Sequence, residues 1–436
     1  MLRLARWSLL VGTAVVVFGL GWFHASSIGG YDYTDSFRFS WSGAYVVMLA
    51  VAAYGVGLPD LPRNVYQALA SSLGAALLGA AGVSFAQLVL GSQVLPRFVV
   101  FWSAVFLAPV WSLTAFVAAR DRRRQRARDR VLLVASPEDA TRLSDDLRRN
   151  PERGATVVAA LDIEEASAEG AVAGTTSATG ATVVVLARQA LNDDAVVDQV
   201  ADLHEHGVRV RTLSLFYDEW IGKLPLAELE RVALLFDIGE LHRIRYGRLK
   251  RGVDVVIALA TLPALLLSVP FVALLNVAAN RGPLFYRQTR VGRNDTEFTI
   301  WKYRTMTPSQ DGSSQWTTSD DPRVTRGGRL LRRTHLDELP QAINLLAGSI
   351  SLVGPRPEQP HYVVDLASKI RFYRLRHLVR PGITGWAQVK YDYGSSDIDA
   401  MEKLQYEFWY LRHQSFGLDL RIVGRTVRRV LLAAGT

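Results

Sequence analysis

The sequence predicts a membrane protein built in three parts: an N-terminal four-helix transmembrane bundle, a middle α/β Rossmann-like domain, and a C-terminal α-rich domain carrying a re-entrant membrane helix. Three observations lead there. Apolar residues make up 49% of the 436-residue chain while charged residues make up 21%, and the two kinds are segregated along it. Four apolar runs crowd the first part, at about 8–24, 43–59, 65–91 and 98–119, each about long enough for a ~30 Å hydrocarbon core. A fifth run, at about 253–277, contains Pro263 and Pro270 and is basic on both sides.

Arg3 and Arg6 precede the first run, and the stretch from Arg120 to Arg130 follows the fourth. Basic flanks favour the cytoplasm, so four crossings with both ends inside satisfy the rule. A cleaved signal peptide is the alternative for run one, and a nucleic-acid patch is the alternative for the arginine run. Its position beside a span favours lipid headgroups over nucleic acid. This first domain is placed at 1–120.

The middle domain is placed at 130–225. Strands are expected at Arg130–Ala135, Ala155–Leu161, Thr182–Leu186 and Val208–Leu213, and helices at Pro137–Arg149 and Asp193–His206. That alternation implies a parallel sheet. The first strand runs into Ser136-Pro137-Glu138, without the glycines that let a backbone approach a pyrophosphate. A structural or regulatory role therefore fits better than dinucleotide binding. The Ala/Gly/Ser/Thr stretch at 166–181 reads as a low-complexity loop, and Tyr217–Pro225 as a connector.

The third domain is placed at 245–436. Arg248, Lys250 and Arg251 precede its apolar run, and Arg281, Arg287, Arg290 and Arg293 follow it. A simple span would leave one basic cluster outside. A helix–break–helix that enters and leaves one leaflet keeps both inside, since each proline removes an amide donor and clashes with the preceding turn. Ser368–Leu378 and Leu418–Leu431 show apolar residues at helical spacing with arginines between them, a pattern for helices in the headgroup plane or for ordinary helices with a solvated basic face.

Net charge is +9, pointing to an anionic partner. With no cysteine present, disulfides, thiolate metal sites and a cysteine nucleophile are excluded. No phosphate-binding Gly-x-x-x-x-Gly-Lys loop and no Gly-x-Ser-x-Gly elbow occurs.

The chemistry concentrates at Asp337-Glu338. A carboxylate attacks phosphorus without first losing a proton, and adjacent carboxylates also suit Mg²⁺, which takes one or two of them together with phosphate oxygens. The plainer reading makes Thr334 a helix N-cap with Asp337 at the third position. Arg323, Arg326, Arg329, Arg332 and Arg333 precede the pair closely, and arginine offers bidentate donors to phosphate. Prolines flank Arg356 in Gly354-Pro-Arg-Pro357 and Arg380 leads Arg380-Pro-Gly382, so each guanidinium is aimed by a stiff turn. Lys302 and Arg304 are weaker candidates. Trp386 is suited to stacking on a base or lining the membrane face, and His335 reads as a positioning or surface residue.

At Lys250-Arg251, Phe285–Gly292, Lys302–Met306, Leu336–Gln341, Ser351–Pro357 and Arg380–Gln388, in that order, the chain resembles the bacterial sugar transferases, monotopic polyprenyl-phosphate glycosyl-1-phosphate transferases. The resemblance covers roughly 245–436. With the four spans and the Rossmann-like domain it points to the large-membered branch that initiates exopolysaccharide or O-antigen synthesis. It implies transfer of a hexose-1-phosphate from a UDP-sugar, glucose or galactose first, to undecaprenyl phosphate with release of UMP. It further implies a phosphosugar ester on Asp337, Glu338 assisting at Mg²⁺ or orienting the nucleophile, and Arg332, Arg356 and Arg380 gripping phosphates or nucleotide. The expected location is the cytoplasmic face of a bacterial inner membrane, with lipid contact, no nucleic acid, and surface enough for a homodimer. Two departures stand out: Ser268 and Pro270 are separated by Val269 where smaller members often have Ser-Pro, and the middle domain lacks the Gly-rich turn.

Overall fold

The computed structural model describes residues 2–59, 62, 65–150, 154–226, 240–280, 282–307, 323–391 and 396–433. It divides into two compact units, Met1–Arg231 and Val232–Thr436.

The first unit opens with helices α1 (Leu2–His24), α2 (Phe37–Gly55), α3 (Val65–Leu90) and α4 (Arg97–Arg128). α1 packs on α2 and α4, and α3 packs on α2 and α4, which closes a four-helix ring. Its core includes Leu9, Val17, Tyr45, Leu49, Val83, Leu107 and Trp111. Buried polar groups are paired inside it: Trp111 Nε1 donates to Thr13 Oγ1 at 2.9 Å, and Tyr45 Oη and Ser103 Oγ share a hydrogen at 2.9 Å. A Cβ on Gly79 would lie 2.5 Å from a Leu49 methyl, so glycine sets the approach of α3 to α2. Outward-facing Trp7, Leu73, Leu77, Phe85, Leu88 and Phe101 are exposed, as a lipid-facing surface requires.

Among the described residues, four helical segments are long and apolar enough to cross a membrane: Leu4–Gly29, Val65–Leu88, Arg97–Arg120 and Tyr246–Ala279. Three of them belong to the bundle expected over 1–120, and the fourth is the apolar run of the second unit. α2 belongs to the bundle but falls short by composition, because it starts earlier than its apolar run and takes in Arg38, Ser40 and Ser42.

The strands β1 (Arg130–Val134), β2 (Thr156–Leu161), β3 (Val183–Leu186) and β4 (Arg209–Thr212) form one parallel sheet in the order β2-β1-β3-β4. Side chains alternate across it. Val131, Leu133, Val183 and Val185 pack with Leu143 of the helix Pro137–Arg149, while Leu132, Val134, Val184 and Leu186 pack with Val172, Val196 and Val200 on the other face. Two expectations fail here. The stretch read as a low-complexity loop contains the helix Ala171–Thr179, flanked by left-handed Gly170 and Gly180 and fastened by buried Val172. Its alanines are good helix formers, and the sheet supplies the apolar face. The connector is also not a free linker: Tyr217, Trp220 and Ile221 are buried in the sheet's core, and Lys223 Nζ pairs with Asp146 Oδ2 at 2.9 Å.

The first described element of the second unit is the helix Glu240–Ala279. Ala258, Leu265 and Val272, each two turns apart, are buried, while Leu259, Leu266, Leu267, Phe271, Leu274 and Val277 are exposed. The helix continues through Pro263 and Pro270, so the expected unwound break is absent. Packing of Leu265 and Val272 against Tyr303 and Leu331 holds the segment helical on both sides of each lost amide bond. β5 (Phe285–Val291) and β6 (Glu297–Tyr303) form an antiparallel hairpin, and β7 (Ser351–Val353) runs parallel to β8 (Gly382–Thr384). The helices Arg326–Arg333, Gln341–Ala347, Pro360–Lys369, Trp386–Lys390, Asp397–His413 and Phe416–Ala433 complete the unit. The helix expected over 368–378 is instead the end of Pro360–Lys369 followed by a 3₁₀ turn, Tyr373–Leu378. Phe372 interrupts it at φ 65°, and Arg376 turns inward to Glu407 rather than outward to headgroups.

Candidate active site

Asp337 and Glu338 sit on a single 3₁₀ turn, Leu336–Glu338, between two short helices. The helix before it, Arg326–Arg333, starts at Thr325, whose Oγ1 accepts from Gly328 N at 2.9 Å. A Cβ on Gly328 would meet Thr305 O at 1.9 Å, so this helix lies directly on the backbone that follows β6. Thr334 is not an N-cap. It closes the preceding helix, its Oγ1 donating to Leu330 O at 2.9 Å. His335 then reverses the chain at φ 54° and is exposed. A cap cannot be assigned from Thr-x-x-Asp alone, because the left-handed residue that decides it has no sequence signature here.

The two carboxylates are in different electrostatic states. Asp337 is 9% exposed, and no hydrogen bond reaches its carboxyl among the described residues. Burial, followed by the charge of Glu338, pushes its pKa up to about 6 against the pull of Lys302, Arg332 and His335. Glu338 accepts from Lys302 Nζ at 2.9 Å through Oε1. Burial works to raise its pKa too, but Lys302 and Arg356 prevail and hold it below the usual range.

The structure sorts the other expected residues. Lys302, ranked weak from sequence, is the direct partner of Glu338. Arg332 is half-buried, near enough to act on Asp337, with Nη2 3.6 Å from the Met306 sulfur. Arg356 acts on Glu338. Arg326, Arg329 and Arg333 are exposed. Arg304 is not brought to the carboxylates. It is buried and donates to Pro283 O at 2.8 Å, Asn276 Oδ1 at 3.2 Å and Asn280 O, tying β6 to the end of the long helix. Arg380 stands apart too, in the field of Arg251, Arg293 and Asp254, on a cavity of about 100 Å³ shared with Lys250, Ser351, Tyr410 and Gln414. Trp386 is 3% exposed and stacks on Trp409 at 5.0 Å, with Lys390 5.0 Å from its ring centroid. It is core, not a stacking platform for a base or a membrane anchor.

Asp337 and Glu338 present hard oxygen donors, and Lys302 engages only Oε1 of Glu338. No group of three or more His, Cys, Asp or Glu suited to a metal occurs among the described residues. That set fits a weakly held Mg²⁺ completed by phosphate oxygens and water better than a closed metal cage. Sequence reasoning missed the buried acids Asp254, Glu407 and Asp419. Glu407 and Asp419 lie on helices at positions indistinguishable in sequence from solvated ones.

A sequence model described as "Bacterial sugar transferase" matches residues 245–433. The chain is 39% identical over 191 residues (44% of this chain, 45% of the relative) to the UDP-N-acetylgalactosamine-undecaprenyl-phosphate N-acetylgalactosaminephosphotransferase of Aeromonas hydrophila. It is 44% identical over 184 residues (41% and 39%) to the UDP-glucose:undecaprenyl-phosphate glucose-1-phosphate transferase of Escherichia coli K12. It is 37% identical over 190 residues (41% and 93%) to the exopolysaccharide production protein PSS of Rhizobium leguminosarum bv. phaseoli. The chain thus spans less than half the length of the first two relatives and nearly all of the third.

Proposed function

Because the chain belongs to the bacterial sugar transferase family, we propose that it transfers a hexose-1-phosphate from a UDP-sugar to undecaprenyl phosphate and releases UMP. The observation that carries this reading is the pairing of a buried, unbonded Asp337 with a Glu338 held ionised by Lys302. A desolvated carboxylate with its pKa near neutrality is a better nucleophile than one strongly paired in water.

In the first step an Asp337 carboxylate oxygen bonds to the phosphorus that carries the sugar. The bond from that phosphorus to the bridging oxygen breaks, and UMP leaves with the electron pair. In the second step an oxygen of undecaprenyl phosphate attacks the same phosphorus and expels the Asp337 carboxylate. Lys302, Arg332 and Arg356 set positive charge around an anion approaching anions. Asp337 and Glu338 would hold Mg²⁺, which supplies further neutralisation of phosphate charge. The exposed apolar face of the long helix supports membrane insertion, and a bend at Pro263 and Pro270 would keep both basic flanks on the cytoplasmic side of the inner membrane.

The relatives' names carry different sugars, so the test is a donor panel: UDP-glucose, UDP-galactose and the UDP-N-acetylhexosamines, with Mg²⁺ and undecaprenyl phosphate. UMP release by wild type and none by folded Asp337→Asn is expected. Silence from every donor by lipid-embedded, folded protein would overturn the reading.

A further inference from the structure

The segment Pro355-Arg356-Pro357-Glu358 has no secondary structure of its own, and two of its residues lack an amide hydrogen. Its carbonyls are nevertheless all taken. Pro355 O accepts from Gly382 N at 2.8 Å, Arg356 O from Arg376 Nη2 at 2.9 Å, Pro357 O from Arg290 Nη1 at 3.0 Å, and Glu358 O from Val291 N at 2.9 Å. Four neighbouring peptide units are thus pinned from three directions: β8, the 3₁₀ turn at 373–378, and β5.

Arg376 is the most heavily invested of these anchors. It is 4% exposed and its partner Glu407 is 5% exposed. Its Nε reaches Glu407 Oε2 at 2.9 Å, Nη2 reaches Oε1 at 2.7 Å, and Nη1 reaches Tyr373 Oη at 2.6 Å. A buried ion pair is weak evidence for stability, since its desolvation offsets its attraction. What this pair does have is geometry: a two-pronged grip on Glu407 leaves one Nη2 hydrogen directed at Arg356 O.

We propose that Arg376, locked by Glu407, and Arg290 are positioning residues that aim the Arg356 guanidinium at the phosphates of the donor. The proposal rests on the transferase reading above. Arg356 touches the reacting groups; Arg376 and Glu407 act through the backbone on either side of it, and Arg290 through that backbone and through its own charge beside Arg356. Lysine at 376 retains the charge opposite Glu407, but a single ammonium replaces the fork that spans Glu407 and Arg356 O.

The test is a double-mutant cycle on full-length protein in lipid nanodiscs, reading both UMP release and calorimetric affinity for UDP. Arg376→Lys and Glu407→Gln are each expected to lower kcat about 10- to 100-fold (~1.4–2.7 kcal/mol). In an Arg356→Ala background the same changes are expected to cost less than about 2-fold, the non-additivity that marks action through a shared residue. A merely structural role would give equal losses in both backgrounds, and that result, or wild-type rates in folded Arg376→Lys, overturns the proposal. Should Glu407→Gln fail to fold, Arg290→Lys supplies the second arm. If wild type releases no UMP from any donor, the transferase reading falls and the UDP-affinity cycle decides positioning alone, with additive losses there rejecting it. Absence of both UMP release and UDP binding rejects the two together.

Discussion

Lys302 Nζ contacts Glu338 Oε1 at 2.9 Å, while Asp337, the preceding residue, is more deeply buried and receives no such bond among the described residues. One lysine thus divides an acidic dipeptide into an ionised partner and a carboxyl that titrates near neutrality.

That division sets a pH dependence. Asp337 must be ionised to attack phosphorus, so UMP release is expected to fall as pH drops below about 6. Lys302→Met removes a charge that lowers the Asp337 pKa, so the acidic limb should move to higher pH. A pH–rate profile of the first half-reaction checks it; an unmoved limb would separate Lys302 from Asp337.

The same burial costs stability. The folded pKa of Asp337, about 6, exceeds its reference value of 3.8. The folded state therefore binds the proton more tightly, and stability is lost as pH rises from about 3.8 to 6. Asp337→Asn should be inactive yet more stable near pH 7 by on the order of 2–3 kcal/mol, with the gain vanishing below about pH 4. Thermal unfolding at the two pH values measures this, and an equal gain at both would refute it.

Asp419 gathers three donors: Lys250 Nζ, Tyr246 Oη at 2.6 Å and Tyr410 Oη at 2.7 Å. Asp419→Asn leaves the Lys250 charge largely buried without its counter-ion, a loss of about 3 kcal/mol. A denaturation midpoint within error of wild type would show that water enters and screens the lysine.

Gly328 and Gly327 are adjacent but unequal. A Cβ at 328 meets the Thr305 backbone at 1.9 Å, whereas one at 327 meets a Leu275 side-chain carbon at 3.3 Å. Gly328→Ala should displace the Arg332 helix and abolish activity, and Gly327→Ala should cost no more than about 1 kcal/mol. Equal stability and activity in the two variants would remove the helix-on-backbone contact from the account.

With no native cysteine, single labels report topology. Cysteines replacing Arg248 and Glu297, on either side of the apolar stretch, should both resist a membrane-impermeant reagent added outside intact cells. Labelling of either from outside would replace the re-entrant path by a full crossing.

Sequence alone determined what depends on local pattern. Apolar runs of about bilayer length mark α1, α3, α4 and the long helix, short continuous apolar runs mark β1 and β3 as buried strands, and the motif order marks the family. Misreadings arose where neighbours outvoted pattern. The alanine-rich 171–179 segment became helical against the sheet, Trp386 was drawn into the core, and packing carried one helix through two prolines. Only the tertiary structure decided which charges meet. Lys302 lies far from Glu338 in sequence, as Arg376 does from Glu407, and Arg304 turns to the carbonyls at the end of the long helix. The reason is physical: burial and charge–charge distance, which set pKa and reactivity, are properties of three-dimensional neighbours and have no fixed spacing along a chain.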